Sequence, residues 1–99
     1  MSRTFRVSER AAREYAKLTP QDKVRFNRAR VTFVEALRAD PSAVPPNLRV
    51  KRVQGHSGIW ELAWSADGRA TFEYGAEQLP GEPHICWRRI GSHSIFSDP

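Results

Sequence analysis

The amino-acid sequence predicts one α+β domain in which a helical hairpin packs on one face of a small, mostly antiparallel sheet. Apolar residues recur at helical spacing between residues 8 and 39, which indicates two helices joined by a tight break. After residue 47 the apolar pattern changes to a period of two, which is typical of strands. The 99 residues match one ordinary domain, so we predict a single domain over residues 1–99.

The first forty residues hold the start and stop signals of both helices. A short strand is predicted over Thr4–Val7, and Ser8 follows it as an N-cap residue. The Thr19–Pro20 pair separates the helices, because Thr caps a helix and Pro is tolerated at its first position. The second helix is expected to run to about residue 39 and to end at Asp40–Pro41.

The second half of the chain alternates between apolar and polar residues and is predicted to form strands. The four predicted strands cover Leu48–Val53, Ile59–Trp64, Ala70–Gly75 and Ile85–Ile90. The Asp67–Gly68 dipeptide separates two of them and is a strong hairpin signal. The predicted order is therefore β-α-α-β-β-β-β.

The same alternation divides the sheet into a core side and an open side. The core side is predicted to hold Trp60, Leu62, Trp64, Phe72 and Tyr74. The last strand allows two assignments: with Cys86 in the core, Trp87 and Arg89 lie on the open face. The converse assignment places Arg88 there instead.

The first assignment collects polar and aromatic groups on the open face. Its members are Arg49, Lys51, Glu61, Arg69, Trp87 and Arg89. Arginines with a carboxylate and an aromatic ring on one face indicate a site for phosphate and base. The alternative interpretation is an exposed sheet face with cross-strand ion pairs.

The charge of the chain favours an anionic partner, which is either a nucleic acid or an acidic protein. The net charge is +5, the isoelectric point is about 10.1, and the chain has 16 basic and 11 acidic residues. Arginine dominates the basic set, and its planar fork suits phosphate better than the point charge of lysine. The helix arginines are interpreted as a solvated face; they include Arg10, Arg13, Arg25 and Arg28.

Other classes of protein are excluded by what the sequence lacks. No apolar run reaches the roughly 20 residues of a membrane span, and no apolar segment near the N-terminus indicates a secretory signal. Cys86 is the only cysteine, so no intrachain disulfide can form, and the cytoplasm is the expected compartment. The three histidines have no metal-ligand spacing, and we expect neither a metal site nor a cofactor.

Two separated segments resemble toxins of the RelE/ParE superfamily. The first runs from Ser57-Gly58-Ile59-Trp60 through the hairpin to Gly68-Arg69-Ala70-Thr71-Phe72. The second, Arg89-Ile90-Gly91-Ser92-His93-Ser94-Ile95-Phe96, is similar to the C-terminal motif of YafQ-like members, with one residue fewer before the aromatic. The length and the order of elements are similar too, so the resemblance covers nearly the whole chain and implies a RelE-like fold.

The resemblance implies the toxin of a type II toxin–antitoxin system. Most such toxins are ribosome-dependent endoribonucleases, so the implied partners are a cognate antitoxin, the 70S ribosome and mRNA in its A site. A minority, the ParE-like toxins, poison DNA gyrase without a catalytic constellation. A noncatalytic RNA-binding module is the third interpretation.

Residue by residue, the resemblance implies roles for four side chains. Arg69 corresponds to the arginine that contacts the scissile phosphate, and Arg89 to a second arginine before the turn. His93 corresponds to the general acid, and Phe96 to the aromatic residue that packs against a base. For His93, the alternative is a turn histidine that is hydrogen-bonded to the backbone.

The general base matches no motif cleanly. Glu61 is the predicted catalytic carboxylate, and Lys51, Arg49 and His56 remain as alternatives. Further RNA contacts are predicted for Arg49, Lys51, Arg52, Trp87 and Phe96.

Overall fold

The computed structural model describes residues 4–99, so residues 1–3 of the predicted domain lie outside the described part of the chain. Strands β1 to β5 cover Phe5–Val7, Lys51–Arg52, Trp60–Ala63, Gly68–Tyr74 and Ile85–Ser92. Helices α1 and α2 cover Glu9–Ala16 and Pro20–Ala39. Three short 3-10 helices cover Pro41–Ala43, Pro46–Leu48 and His93–Ser97.

The five strands form one sheet in the order β1-β5-β4-β3-β2. Strand β1 lies parallel to β5, and the neighbouring strands in the rest of the sheet are antiparallel. This arrangement confirms the predicted α+β class and the helical hairpin. The first strand leads directly into α1 at the edge of the sheet, where Ser8 N donates a hydrogen bond to Trp87 O at 3.1 Å.

Both predicted helix starts are confirmed. The Ser8 hydroxyl accepts a hydrogen bond from the Ala11 amide at 3.0 Å. The Thr19 hydroxyl accepts one from the Asp22 amide at 3.1 Å, and Pro20 is the first residue of α2. These bonds satisfy amide groups that have no partner within the helix, which is why the side chains fix where each helix begins.

The core lies between α2 and the helix-covered face of the sheet. Phe33 of α2 meets Phe72 of β4 with ring centroids 5.2 Å apart, and Phe26 meets Trp87 at the same separation. Phe72 and Trp87 are themselves 5.4 Å apart in a T-shaped arrangement. Tilted and edge-to-face aromatic contacts of this kind add about 1 kcal/mol each to the free energy gained from burial.

The last strand contains a β-bulge, and this bulge overturns the predicted assignment of Trp87. Phe72 pairs with Trp87 while Thr71 pairs with Arg89, so Arg88 is an extra residue on β5. Trp87 is therefore in the core, with 4% of its surface exposed, and the prediction that it lies on the open face is wrong. The role predicted for it in RNA binding loses its structural premise.

The strand predicted over Leu48–Val53 is mostly replaced by other structure. Leu48 ends a 3-10 helix that begins at Pro46, because the two consecutive prolines before it favour a turn. Arg49 then adopts a left-handed conformation with φ 48° and ψ 43°. At the far end of β4, Tyr74 is 45% exposed, so its predicted place in the core is also wrong, although its ring packs against Trp60.

Candidate functional site

The face of the sheet opposite the helices is partly covered by the segment after β5. The 3-10 helix His93–Ser97 folds back over β4 and β5 and buries Ile95. Gly91 permits this close approach, since a Cβ atom there would lie 2.9 Å from Ile95 Cγ2. Thr71 is completely buried on this face, and its hydroxyl has no hydrogen-bond partner within residues 4–99. The predicted open face is thus only partly open.

Arg89 fastens this C-terminal segment to α1. Its Nη2 donates to Glu14 Oε2 at 2.8 Å, its Nε also contacts the Glu14 carboxylate, and its Nη1 donates to Asp98 O at 2.8 Å. Glu14 Oε1 in turn accepts from the Ile90 amide at 3.2 Å. Every guanidinium nitrogen of Arg89 therefore has a partner inside the fold. The catalytic role of Arg89 stays a prediction. Its contacts position the C-terminal segment against α1.

His93 stands at the end of the β3–β4 hairpin with two partners. Its Nδ1 lies 3.1 Å from Asp67 Oδ1, and its ring makes a T-shaped contact with Phe96 at 5.9 Å. An ionised carboxylate only accepts hydrogen bonds, so Nδ1 carries the hydrogen in this contact and Nε2 is left for a ligand. The side chain is 57% exposed. The structure thus brings His93 and Phe96 together.

Sequence reasoning missed Asp67 as a member of this site. The Asp67-Gly68 dipeptide explains the turn by itself, so no local signal indicates a second role for Asp67. Its position beside His93 depends on the pairing of Gly68 with Ser92, which links the hairpin to the far end of β5. A register of this kind is a long-range property that no local pattern reveals.

Arg69 is buried in the hairpin rather than exposed on the sheet. Only 6% of the residue is accessible, and Nη1 donates to Gly68 O at 2.8 Å and to Ser65 O at 3.1 Å. Trp64 Nε1 closes the turn by donating to Arg69 O at 3.0 Å. The expectation of an exposed Arg69 is therefore wrong. Its Nε and Nη2 make no hydrogen bond to another residue in the described chain.

The other predicted site residues lie further along the sheet. Lys51 pairs with Glu61, and Glu61 pairs with Thr71 on the face away from the helices. Glu61 is therefore two strands from β5, roughly 10 Å at the usual strand spacing. Within residues 4–99 no hydrogen bond or ion pair joins Glu61 to His93 or Asp67. The exposed Arg52 lies over the Trp60 ring with its Cζ 5.4 Å from the centroid.

Arg69 also borders a cleft of 540 Å³ between α2 and the β3–β4 hairpin. The cleft is lined by four arginines and by no aspartate or glutamate; the arginines are Arg25, Arg28, Arg49 and Arg69. Sequence reasoning had assigned the two on α2 to a solvated helix face, because nothing local shows that the hairpin lies opposite them. We call this feature the arginine cleft.

Other kinds of site receive no support from the described residues. Residues 4–99 contain no group of three or more His, Cys, Asp or Glu side chains arranged to hold a metal ion. None of the helices in this range is long and apolar enough to cross a membrane.

The comparison with solved structures finds the same fold in the crystal structure of the E. coli DinJ–YafQ complex. The TM-score is 0.60 over 95% of this chain and 97% of that chain, with 11% sequence identity. No protein-family model and no curated protein matches the sequence. The RelE-like fold implied by the two sequence motifs is thereby confirmed as a fold.

Proposed function

We propose that this protein is the toxin of a toxin–antitoxin pair and acts as an endoribonuclease on mRNA. The observation that carries the proposal is the group formed by His93, Asp67 and Phe96 at the hairpin end, beside Arg69. The shared fold with the DinJ–YafQ structure and the two sequence motifs support the same class.

In the proposed reaction a base removes the proton of a 2′-hydroxyl, the 2′-oxygen attacks the adjacent phosphorus to form a 2′,3′-cyclic phosphate, and the bond to the 5′-oxygen breaks. Asp67 accepts the Nδ1 hydrogen bond of the His93 ring in its imidazolium form, so that Nε2 delivers its proton to the leaving oxygen. Phe96 packs against a neighbouring base, and the free nitrogens of Arg69 stabilise charge on the phosphate. The predicted general base is Glu61. Because Glu61 lies two strands from β5, the RNA has to lie across β4, between Glu61 and His93.

The partners we propose are a cognate antitoxin and mRNA in the A site of the 70S ribosome. The crystal structure with the same fold is a complex of two proteins, DinJ and YafQ, which supports an antitoxin partner. The net charge of +5 suits either RNA or an acidic protein segment. We place the activity in the cytoplasm, where mRNA and ribosomes are found.

The test is the His93→Gln variant with His84→Gln as its control. Glutamine keeps the size and a hydrogen-bond donor but cannot act as an acid, so the single-turnover cleavage rate is expected to fall by about 10²–10⁴-fold. Binding of an uncleavable 2′-deoxy substrate should change little, because the proton is transferred only in the transition state. His84 precedes β5 and lies at the opposite end of that strand from His93, so a folded His84→Gln variant should leave both quantities unchanged.

Two results would contradict the proposal. Cleavage at a near-normal rate by a folded His93→Gln variant would reduce His93 to a turn residue. Expression that leaves mRNA intact and produces double-strand DNA breaks would assign the protein to the gyrase poisons instead.

A further inference from the structure

The arginine cleft has the charge of an anion site. Among residues 4–99 the side chains of Arg28 and Arg49 form no ion pair or hydrogen bond with another residue, and Arg25 is paired with Asp22, which lies outside the lining. A cleft lined by charges of one sign focuses the field and raises the local concentration of ions of the opposite sign. The cleft is therefore set up to receive an anion that the chain itself does not supply.

Arg69 supplies the buried end of this cleft. Its guanidinium has no carboxylate partner within the described chain, although only 6% of the residue is exposed. A buried charge without a counter-charge is costly, because backbone oxygens compensate only part of the lost hydration. Nη1 is held by the turn, while Nε and Nη2 are left for a ligand. A bound anion would offset this cost.

The cleft and His93 lie at the same hairpin turn. Ser65 and Ala66 line the cleft, and the next residue, Asp67, holds the His93 ring. A strand of RNA whose cleaved phosphate is at His93 can therefore continue over the turn into the cleft.

We propose that Arg25, Arg28 and Arg49 of the arginine cleft bind backbone phosphates of the RNA strand beside the cleaved one, while Arg69, at the end of the cleft, contacts the cleaved phosphate. This inference rests on the proposed function and adds the two helix arginines, Arg25 and Arg28, to the RNA contacts. Planar guanidinium forks match phosphate oxygens in pairs, which gives positioning without sequence preference.

The lining favours RNA over an acidic peptide as the occupant. A peptide that folds on docking needs large apolar anchor sites. The large apolar residues of the cleft, Leu48 and Trp64, are more than nine-tenths buried, and its exposed apolar residue, Ala66, is small. The cleft therefore offers a peptide no large apolar anchor, whereas its four guanidinium groups suit phosphate.

The experiment measures binding of uncleavable 2′-deoxy oligonucleotides to the full chain at several salt concentrations. The cleft variant is Arg28→Ala/Arg49→Ala, and the control is Arg13→Ala, which removes an exposed, unpaired arginine of α1. Each lost phosphate contact should lower the slope of log affinity against log salt by about 0.7. The double variant should therefore lose about 1.4, and it should also lose the gain in affinity between a trinucleotide and a twelve-residue oligonucleotide.

The control should keep nearly the wild-type slope and the gain with length. Equal slopes for the cleft variant and the Arg13→Ala control would overturn the inference. Loss of binding to an acidic antitoxin segment with unchanged RNA binding would also overturn it and would assign the cleft to a peptide. Because binding is measured without cleavage, failure of His93 as the acid would leave this result readable.

Discussion

The arginine cleft and the C-terminal segment use the same residue type in opposite ways. Around the segment after β5, the guanidinium groups are occupied: Arg10 binds Asp98, Arg88 binds Glu73 and the Pro99 backbone oxygen, and Arg89 binds Glu14. In the cleft, the guanidinium groups of Arg28 and Arg49 have no partner among the described residues. The first group holds the fold together, and the second is available to a ligand.

The two regions differ because their acidic residues are distributed differently. Carboxylates from α1, β4 and the C-terminal segment itself lie around residues 93–99, whereas none lines the cleft. Net charge alone therefore says little about where an anion binds. The partners of each arginine decide whether its charge is already neutralised within the fold.

The largest effect is expected where an ion pair is most buried. Arg89 and Glu14 keep only 14% and 22% of their side chains exposed, and loss of one partner strands the other charge. Arg89→Ala should lower the free energy of unfolding by about 3 kcal/mol in urea titrations. The neighbouring Arg88→Ala removes a pair that is 39% and 46% exposed and should cost less than about 1 kcal/mol. Similar losses for both variants would refute the distinction.

Arg69 combines the two uses of arginine. Its Nη1 supports the β3–β4 turn, and its guanidinium also faces the cleft. Arg69→Ala removes Nη1, which donates to the Gly68 and Ser65 carbonyls, and should lower the free energy of unfolding by about 1–3 kcal/mol. The same variant should weaken RNA binding. An unchanged unfolding midpoint would show that the turn does not depend on Arg69.

Arg49 is the cleft residue at which RNA binding can be tested with little change in the free energy of unfolding. Its left-handed backbone costs about 1 kcal/mol for a residue with a Cβ atom. Glycine avoids that strain but loses about 0.5–1 kcal/mol more chain entropy on folding. Arg49→Gly should thus leave the unfolding free energy nearly unchanged while weakening oligonucleotide binding. A folded variant with wild-type affinity would remove Arg49 from the cleft's function.

The features that could be predicted from the sequence are those set by neighbouring residues. Ser8 and Thr19 cap their helices through amides three positions away, so their spacing alone was sufficient. The bulge at Arg88 was not visible, because it exists only relative to the opposite strand. Strand parity alone makes the two assignments of β5 exclusive, yet the bulge allows Trp87 to enter the core while Arg88 and Arg89 both reach the C-terminal segment.

The candidate site was predicted in part for the same reason. His93 and Phe96 are close in sequence and meet in the structure. Asp67 and the α2 arginines are brought to the hairpin only by strand pairing and helix packing, which the alternation of residues does not encode. Arg69 was expected on an exposed face because strand parity does not show that its guanidinium folds back onto the carbonyls of the β3–β4 turn.

The smallest effect concerns acid and the exposed end of the C-terminal segment. The hydrogen bond from Arg10 lowers the pKa of Asp98, with smaller contributions from the charges of Arg89 and Arg88. The folded-state pKa thus lies below the unfolded value of about 3.9. The pair therefore stabilises the fold above that pH and stops doing so as the pH falls through the folded pKa. Acidification below about pH 4 should loosen the segment locally.

The methyl signals of Ile95 in NMR spectra report on this loosening, because Ile95 packs against Gly91 and its carbonyl accepts from the Asp98 amide at 3.1 Å. Asp98→Asn should remove the acid-dependent shift of these signals. Asp40 is the matched control: a hydrogen bond with Ser42 lowers its pKa as well, but it caps a 3-10 helix after α2. Asp40→Asn should leave the acid-dependent shift of the Ile95 signals intact. If this variant also lost the shift, the response to acid would be global rather than confined to the C-terminal segment.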